Sequence, residues 1–96
     1  MKVPGVTKSL ETQLVSFIQQ CRNIDIKKHP SISETIDWAK VLTLLHADSL
    51  DVELVKTTLN VFLKFEEDIH AVEKNLLGMV SEARKDAGLE PYGSND

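Results

Sequence analysis

Apolar residues recur three and four apart over most of the chain. Leu10, Leu14, Phe17, Ile18 and Cys21 form the first such series, with Glu11, Gln13, Ser16, Gln19, Gln20 and Arg22 between them. A 3.6-residue turn gathers the first set on one face, so the spacing predicts a helix capped by Thr7 or Ser9 and ending near residue 23. Asn23-Ile24-Asp25-Ile26 leaves the stripe, and Pro30 cannot sit inside a helix. Residues 24–32 therefore read as an extended connection, with Ile24 and Ile26 as candidate core residues. Ser31 followed three residues later by Glu34 fits a capping box, with Ser33 as the competing cap. Ile36, Ala39, Leu42 and Leu45 then line one face, widened by Trp38, Val41 and Leu44, which predicts the most apolar and central helix.

Asp51 is a candidate cap for a third helix, with Leu50 and Val55 placed as a hydrophobic staple and Leu54, Val55, Thr58, Leu59 and Phe62 as its stripe. No glycine or proline interrupts residues 51–77, so the next break is placed by charge. Glu66-Glu67-Asp68 suits a first helical turn, which starts a fourth helix near Lys64–Glu67. Ile69, Val72, Leu76, Val80 and Ala83 continue it to a basic end at Arg84-Lys85, and Gly88 is the candidate C-cap. The pattern shows no strand-like alternation and no internal repeat. The expectation is an all-α fold, a small four-helix bundle, with a lead-in over 1–6, a helical domain over 7–88 and a flexible tail over 89–96.

Composition narrows the chemistry. At 96 residues there is room for one domain. Eleven basic against fifteen acidic side chains give a net charge of −4, which disfavours a nucleic-acid surface. No apolar run is long enough to span a membrane. A single cysteine, Cys21, forms no intrachain disulfide and excludes a thiolate zinc site, so the chain reads as intracellular and cytoplasmic. Gly5, Gly78, Gly88 and Gly93 are too scattered for a phosphate-binding loop, and there is no nucleophile elbow or zinc helix. The chain by itself is therefore read as a non-enzyme.

Individual residues carry bland readings beside sharper ones. Cys21 lies on an apolar stripe and reads as a buried structural thiol. His70 and Glu73 share a helix face, but in the reverse order and as one copy of the paired motif that di-iron bundles use. His29 and His46 lie at connections. Glu66-Glu67-Asp68 reads as a helix start in water, and Trp38 as core or, alternatively, as part of a docking surface. Lys27-Lys28-His29 is a basic cluster that is either a solvated loop or an anion contact beside a helix N-terminus.

The stretch Lys27-Lys28-His29-Pro30-Ser31-Ile32-Ser33-Glu34-Thr35-Ile36-Asp37-Trp38-Ala39-Lys40-Val41-Leu42 resembles the C-terminal lid of MoxR-type AAA+ ATPases. Val3-Pro4-Gly5-Val6, Leu50-Asp51 and Leu63-Lys64-Phe65-Glu66-Glu67-Asp68 extend the resemblance over nearly the whole chain. It implies a helical lid that closes over nucleotide held by an upstream ATPase domain and relays its state between subunits of a chaperone-like remodelling ring. The parent would use ATP and Mg²⁺ and work with proteins bearing von Willebrand factor A domains; this chain would hold no cofactor itself. Many such lids place a sensing arginine in a Ser-Pro-Arg-Ala run. Aligned to that run, Ser31 falls on the serine, Ile32 on the proline, Ser33 on the arginine and Glu34 on the alanine. Ser33 is not arginine, so the resemblance leaves Lys27, Lys28 and the Ser33 hydroxyl as the nucleotide-facing candidates.

Overall fold

The computed structural model describes residues 3–90. Five α-helices follow in order: α1 (Lys8–Cys21), α2 (Ile32–Leu44), α3 (Val52–Thr58), α4 (Glu66–Lys74) and α5 (Leu76–Asp86), with a 3₁₀ turn at Leu59–Val61. Among the described residues there is no strand. The protein is all-α, as the periodicity predicts.

Three helices start where a short polar side chain takes the free amide of the third helical residue. Thr7 accepts from Leu10 N at 3.1 Å, Ser31 from Glu34 N at 3.1 Å and Asp51 from Leu54 N at 2.8 Å. Thr7 rather than Ser9, and Ser31 rather than Ser33, is the cap. At Ser31 the box is complete, because Ser31 N donates back to Glu34 Oε1 at 3.0 Å.

The predicted fourth helix is two. It breaks at Asn75, whose Nδ2 donates to Ala71 O at 3.0 Å while its backbone N donates to Val72 O at 3.0 Å in the tighter 3₁₀ manner. An asparagine side chain that satisfies the preceding turn competes with the helix ladder, and no glycine or proline is needed for the break. The third helix is likewise shorter than its stripe. Thr57 and Thr58 both bond back to carbonyls of their own helix, and the chain tightens into the 3₁₀ turn.

Two helices end in the same reverse turn, with opposite suitability. After α5, Gly88 N donates to Lys85 O at 2.9 Å and Leu89 N to Arg84 O at 2.8 Å, with Gly88 at φ 82°. After α2, His46 N donates to Thr43 O and Ala47 N to Leu42 O, both at 3.0 Å, with His46 at φ 58°. Both are Schellman ends, and the left-handed position suits glycine. His46→Gly is expected to stabilise the fold by about 0.5–1 kcal/mol, because relief of the Cβ strain exceeds the entropy that glycine adds to the unfolded chain. Gly88→Ala is expected to cost about 1 kcal/mol for the converse reason. Urea midpoints of the two variants, moving in opposite directions, check this. Leu89 and Glu90, expected in the tail, are held at this end, since Arg84 Nε also donates to Glu90 O at 2.8 Å. Residues 91–96 lie outside the described residues.

The core is centred on α1, which packs most extensively on α5. Leu10, Leu14, Phe17 and Cys21 of α1 are buried with Val80 and Ala83 of α5. The expectation that the second helix is central is corrected. Only Trp38, Ala39 and Leu42 of α2 are buried, while Leu44 and Leu45 are 79% and 54% exposed. These two leucines follow the apolar spacing but overrun the end of the packing partners. Trp38 is fully buried and not part of any docking surface. Its ring centroid lies 5.4 Å from Phe17 and 4.4 Å from Phe62, and Phe17 meets Phe62 edge-on at 6.3 Å. The indole N–H donates to Thr58 Oγ1 at 2.8 Å, so the one polar atom of this cluster is satisfied.

Candidate functional site

The connection between α1 and α2 brings together most of the residues that the sequence singles out. Its Ile26 and Pro30 are buried and draw the chain inward, leaving Lys27, Lys28 and His29 exposed between them. Its backbone is held by one carboxylate. Asp68, in the first turn of α4 and 2% exposed, accepts Lys27 N on Oδ1 at 2.8 Å and Lys28 N on Oδ2 at 3.2 Å. The acidic run is therefore not all a helix start in water: Glu66 and Glu67 are exposed, and Asp68 is a clamp.

The side chains above this clamp are neutralised locally. Lys27 Nζ lies 2.9 Å from Glu67 Oε2 and 5.5 Å from the centre of the Phe65 ring. Lys28 Nζ donates to Glu34 Oε1 at 3.1 Å, and Lys64 Nζ stands 3.8 Å from Glu34 Oε2. Hydrogen bonding to Lys27 holds the Glu67 carboxyl below its ordinary range and raises Lys27 in return. The Ser31 backbone N–H is the main cause that holds Glu34 below its ordinary range, with Lys28 adding to it. Ser33 is exposed on the first turn of α2, between the Ser31 cap and Glu34. The structure thus ties Lys28 to the start of α2 through Glu34 and Lys27 to α4 through Glu67, shows no contact between Ser33 and either lysine, and engages both lysines with carboxylates.

The sign of the Glu34 shift sets a pH dependence. With its folded pKa lowered, the unfolded chain binds the proton first, so Glu34 contributes stability that is present above about pH 4.5 and lost as pH falls through its folded pKa. Glu34→Gln keeps the hydrogen bonds of the box and removes the charge, so it is expected to flatten the acid limb of a stability–pH curve with little loss at pH 7. Glu34→Ala, which keeps the Ser31 cap but removes the acceptor for Ser31 N, is expected to cost about 1 kcal/mol at pH 7. Chemical denaturation between pH 3 and 7 separates the two.

The other candidates are dispersed. Cys21 is fully buried, and burial pushes its thiol up to about 12, which leaves it unreactive at neutral pH. The exposed His29 Nε2–H donates to Ile24 O at 3.3 Å. Among the described residues no group of His, Cys, Asp or Glu is arranged to hold a metal, and no helix is long and apolar enough to cross a membrane. Two structural polar residues escaped the sequence reading. Gln13 is completely buried, accepting Leu50 N on Oε1 at 2.7 Å and donating from Nε2 to Ser9 O at 3.3 Å. Asp68 is the other. Each had a signal: Gln13 lies three after Leu10 and four before Phe17, and Asp68 four before Val72, on the apolar stripes themselves.

No protein-family model, curated protein or solved structure matches this chain. The functional reading therefore stands on the residues and their geometry.

Proposed function

We propose that this chain is the lid domain of a MoxR-type AAA+ ATPase, closing over the nucleotide of an upstream ATPase domain and relaying its state to neighbouring subunits of a remodelling ring. The observation that carries it is the convergence of the stretches on which the resemblance rests. They lie far apart in the chain, yet Asp68 takes the amides of Lys27 and Lys28, Glu34 pairs with Lys64, and Leu50 and Leu63 are buried in the same core as Trp38. A resemblance confined to unrelated surface residues would not require them to form one unit.

In this reading the start of α2 faces the phosphates. The amides of Ile32 and Ser33, which the capping box does not take, favour an anion, and Lys27 and Lys28 supply the charge that the arginine of related lids would give. Their present partners are no obstacle, because exposed ion pairs are worth only about 0–1 kcal/mol and exchange readily for a phosphate. A von Willebrand factor A domain protein is the proposed further partner. The chain alone is proposed to have no ATPase activity, and ATP and Mg²⁺ belong to the parent.

The test is made in the parent protein. A phosphate-loop domain should precede this chain in its gene, and Lys27→Ala with Lys28→Ala should weaken ATP binding or slow hydrolysis about tenfold or more, the value of a charged hydrogen bond. Wild-type affinity, rate and ring assembly in the double variant would remove the lysines from the site, and the lack of a phosphate-loop domain would end the lid reading. Turnover of ATP by the isolated chain would contradict it as well. A second reading, a free-standing interaction module, is favoured by the exposure of Ile32, Leu44, Leu45 and Leu77, each more than half exposed. It no longer includes Trp38.

A further inference from the structure

α1 and α2 leave between them a hollow of about 280 Å³ that the fold does not fill. Val15 and Ile18 of α1 form one wall, and Ile32 and Ile36 of α2 the other. Val15 is 43% and Ile32 75% exposed, and neither is packed against the core. Arg22, the residue that closes α1, follows Ile18 by four positions and also lines the hollow. Arg22 is exposed and has no carboxylate partner among the described residues. No carboxylate lines the hollow. The neighbouring groove between α1 and α5, which shares Val15 and Gln19, is the opposite case: it carries Glu82 and Asp86, with Asp86 accepting from Ser16 at 2.6 Å.

We infer that the α1–α2 hollow docks an acidic amphipathic helix of a protein partner, with a bulky apolar side chain between Val15, Ile18, Ile32 and Ile36 and a carboxylate one turn away on Arg22. Two apolar walls, each offering residues one turn apart, match the helix-in-groove mode, in which anchors recur at three and four residues. The volume lies just under the ~300–1,000 Å³ of sites that enclose a small molecule, and suits side chains of a helix lying across it. Charge decides the sign of the partner. The net charge of −4 does not favour an acidic partner; the local lining does, because Arg22 is its one charged side chain and no carboxylate stands beside it. This inference does not depend on the lid reading.

Two stapled helical peptides of about 15 residues test it. Both carry Leu and Phe four residues apart; one has Glu a turn beyond the pair, and the other has Lys at that position. Titrated into the ¹⁵N-labelled chain, the Glu peptide should shift amide signals of residues 15–22 and 32–36 and bind about fivefold more tightly than the Lys peptide, as for a partly exposed ion pair. Arg22→Glu should reverse that preference. Ile32→Ser, at an exposed position that leaves the fold intact, should weaken both peptides about tenfold. Failure of the Glu peptide to bind, equal binding of both peptides, a preference that Arg22→Glu leaves unchanged, or shifts confined to the Glu82–Asp86 face would each overturn the proposal.

Discussion

Trp38→Ala is expected to destabilise the protein by about 3–5 kcal/mol, the cost of emptying a core site of its largest side chain. A domain of this size has about 5–14 kcal/mol in total, so the variant loses a large share of its stability. The loss has three parts: the tilted contact with Phe62 at 4.4 Å, the tilted contact with Phe17 at 5.4 Å, and the hydrogen bond to Thr58 at 2.8 Å. Trp38→Phe keeps an aromatic ring and loses the hydrogen bond. Thr58 Oγ1 continues to bond to Leu54 O at 2.9 Å, so no hydroxyl is stranded and the expected cost falls to about 1–2 kcal/mol. Denaturation followed by far-UV circular dichroism reads both variants without relying on the tryptophan. A loss below about 1.5 kcal/mol for the alanine variant would mean that the aromatic cluster is not the keystone of this core.

Asp68→Ala is expected to cost about 2–4 kcal/mol, because it strands two backbone donors in a partly buried turn. The effect has a place as well as a size. Hydrogen exchange at the Lys27 and Lys28 amides should rise by about two orders of magnitude more than exchange in α5, where opening follows global unfolding. Asp68→Asn is expected to fall between, since one carboxamide oxygen can serve Lys27 while its NH₂ meets the Lys28 N–H, donor against donor. Unchanged exchange at both lysine amides in the alanine variant would show that the connection is held by Ile26 and Pro30 burial alone.

The polar residues show where reading along the chain stops. Ser31 and Glu34 were legible because a capping box is local: both partners lie within one turn, and the reward is satisfaction of amides that any helix start leaves free. Asp51 before Leu54 and Gly88 after Arg84-Lys85 were legible for the same reason. Asp68 and Gln13 were not, since their partners lie 41 and 37 residues away. A carboxylate on an apolar stripe signals that something must receive it, but the identity of the donor is a matter of which segments meet. The start of α2 is a mixture. The basic cluster and the serine were visible, whereas the neutralisation of Lys27 by Glu67 and of Lys28 by Glu34 depends on how α4 and α2 lie against the turn.

Helix content, the caps, the non-helical connection before Pro30 and the apolar faces follow from the order of residues, because each is settled by contacts within a few positions of the chain; the bends at Ile24, Lys27 and Lys28, where an extended run was expected, do not. Tertiary packing decided the remainder. It made α1 rather than α2 the central helix, left Leu44 and Leu45 in water and enclosed Trp38. It also opened the hollow beside Arg22. An apolar stripe states which face seeks cover, but the amount of cover depends on the length and position of the partner helices, and the breaks at Asn75 and after Thr58 set those lengths.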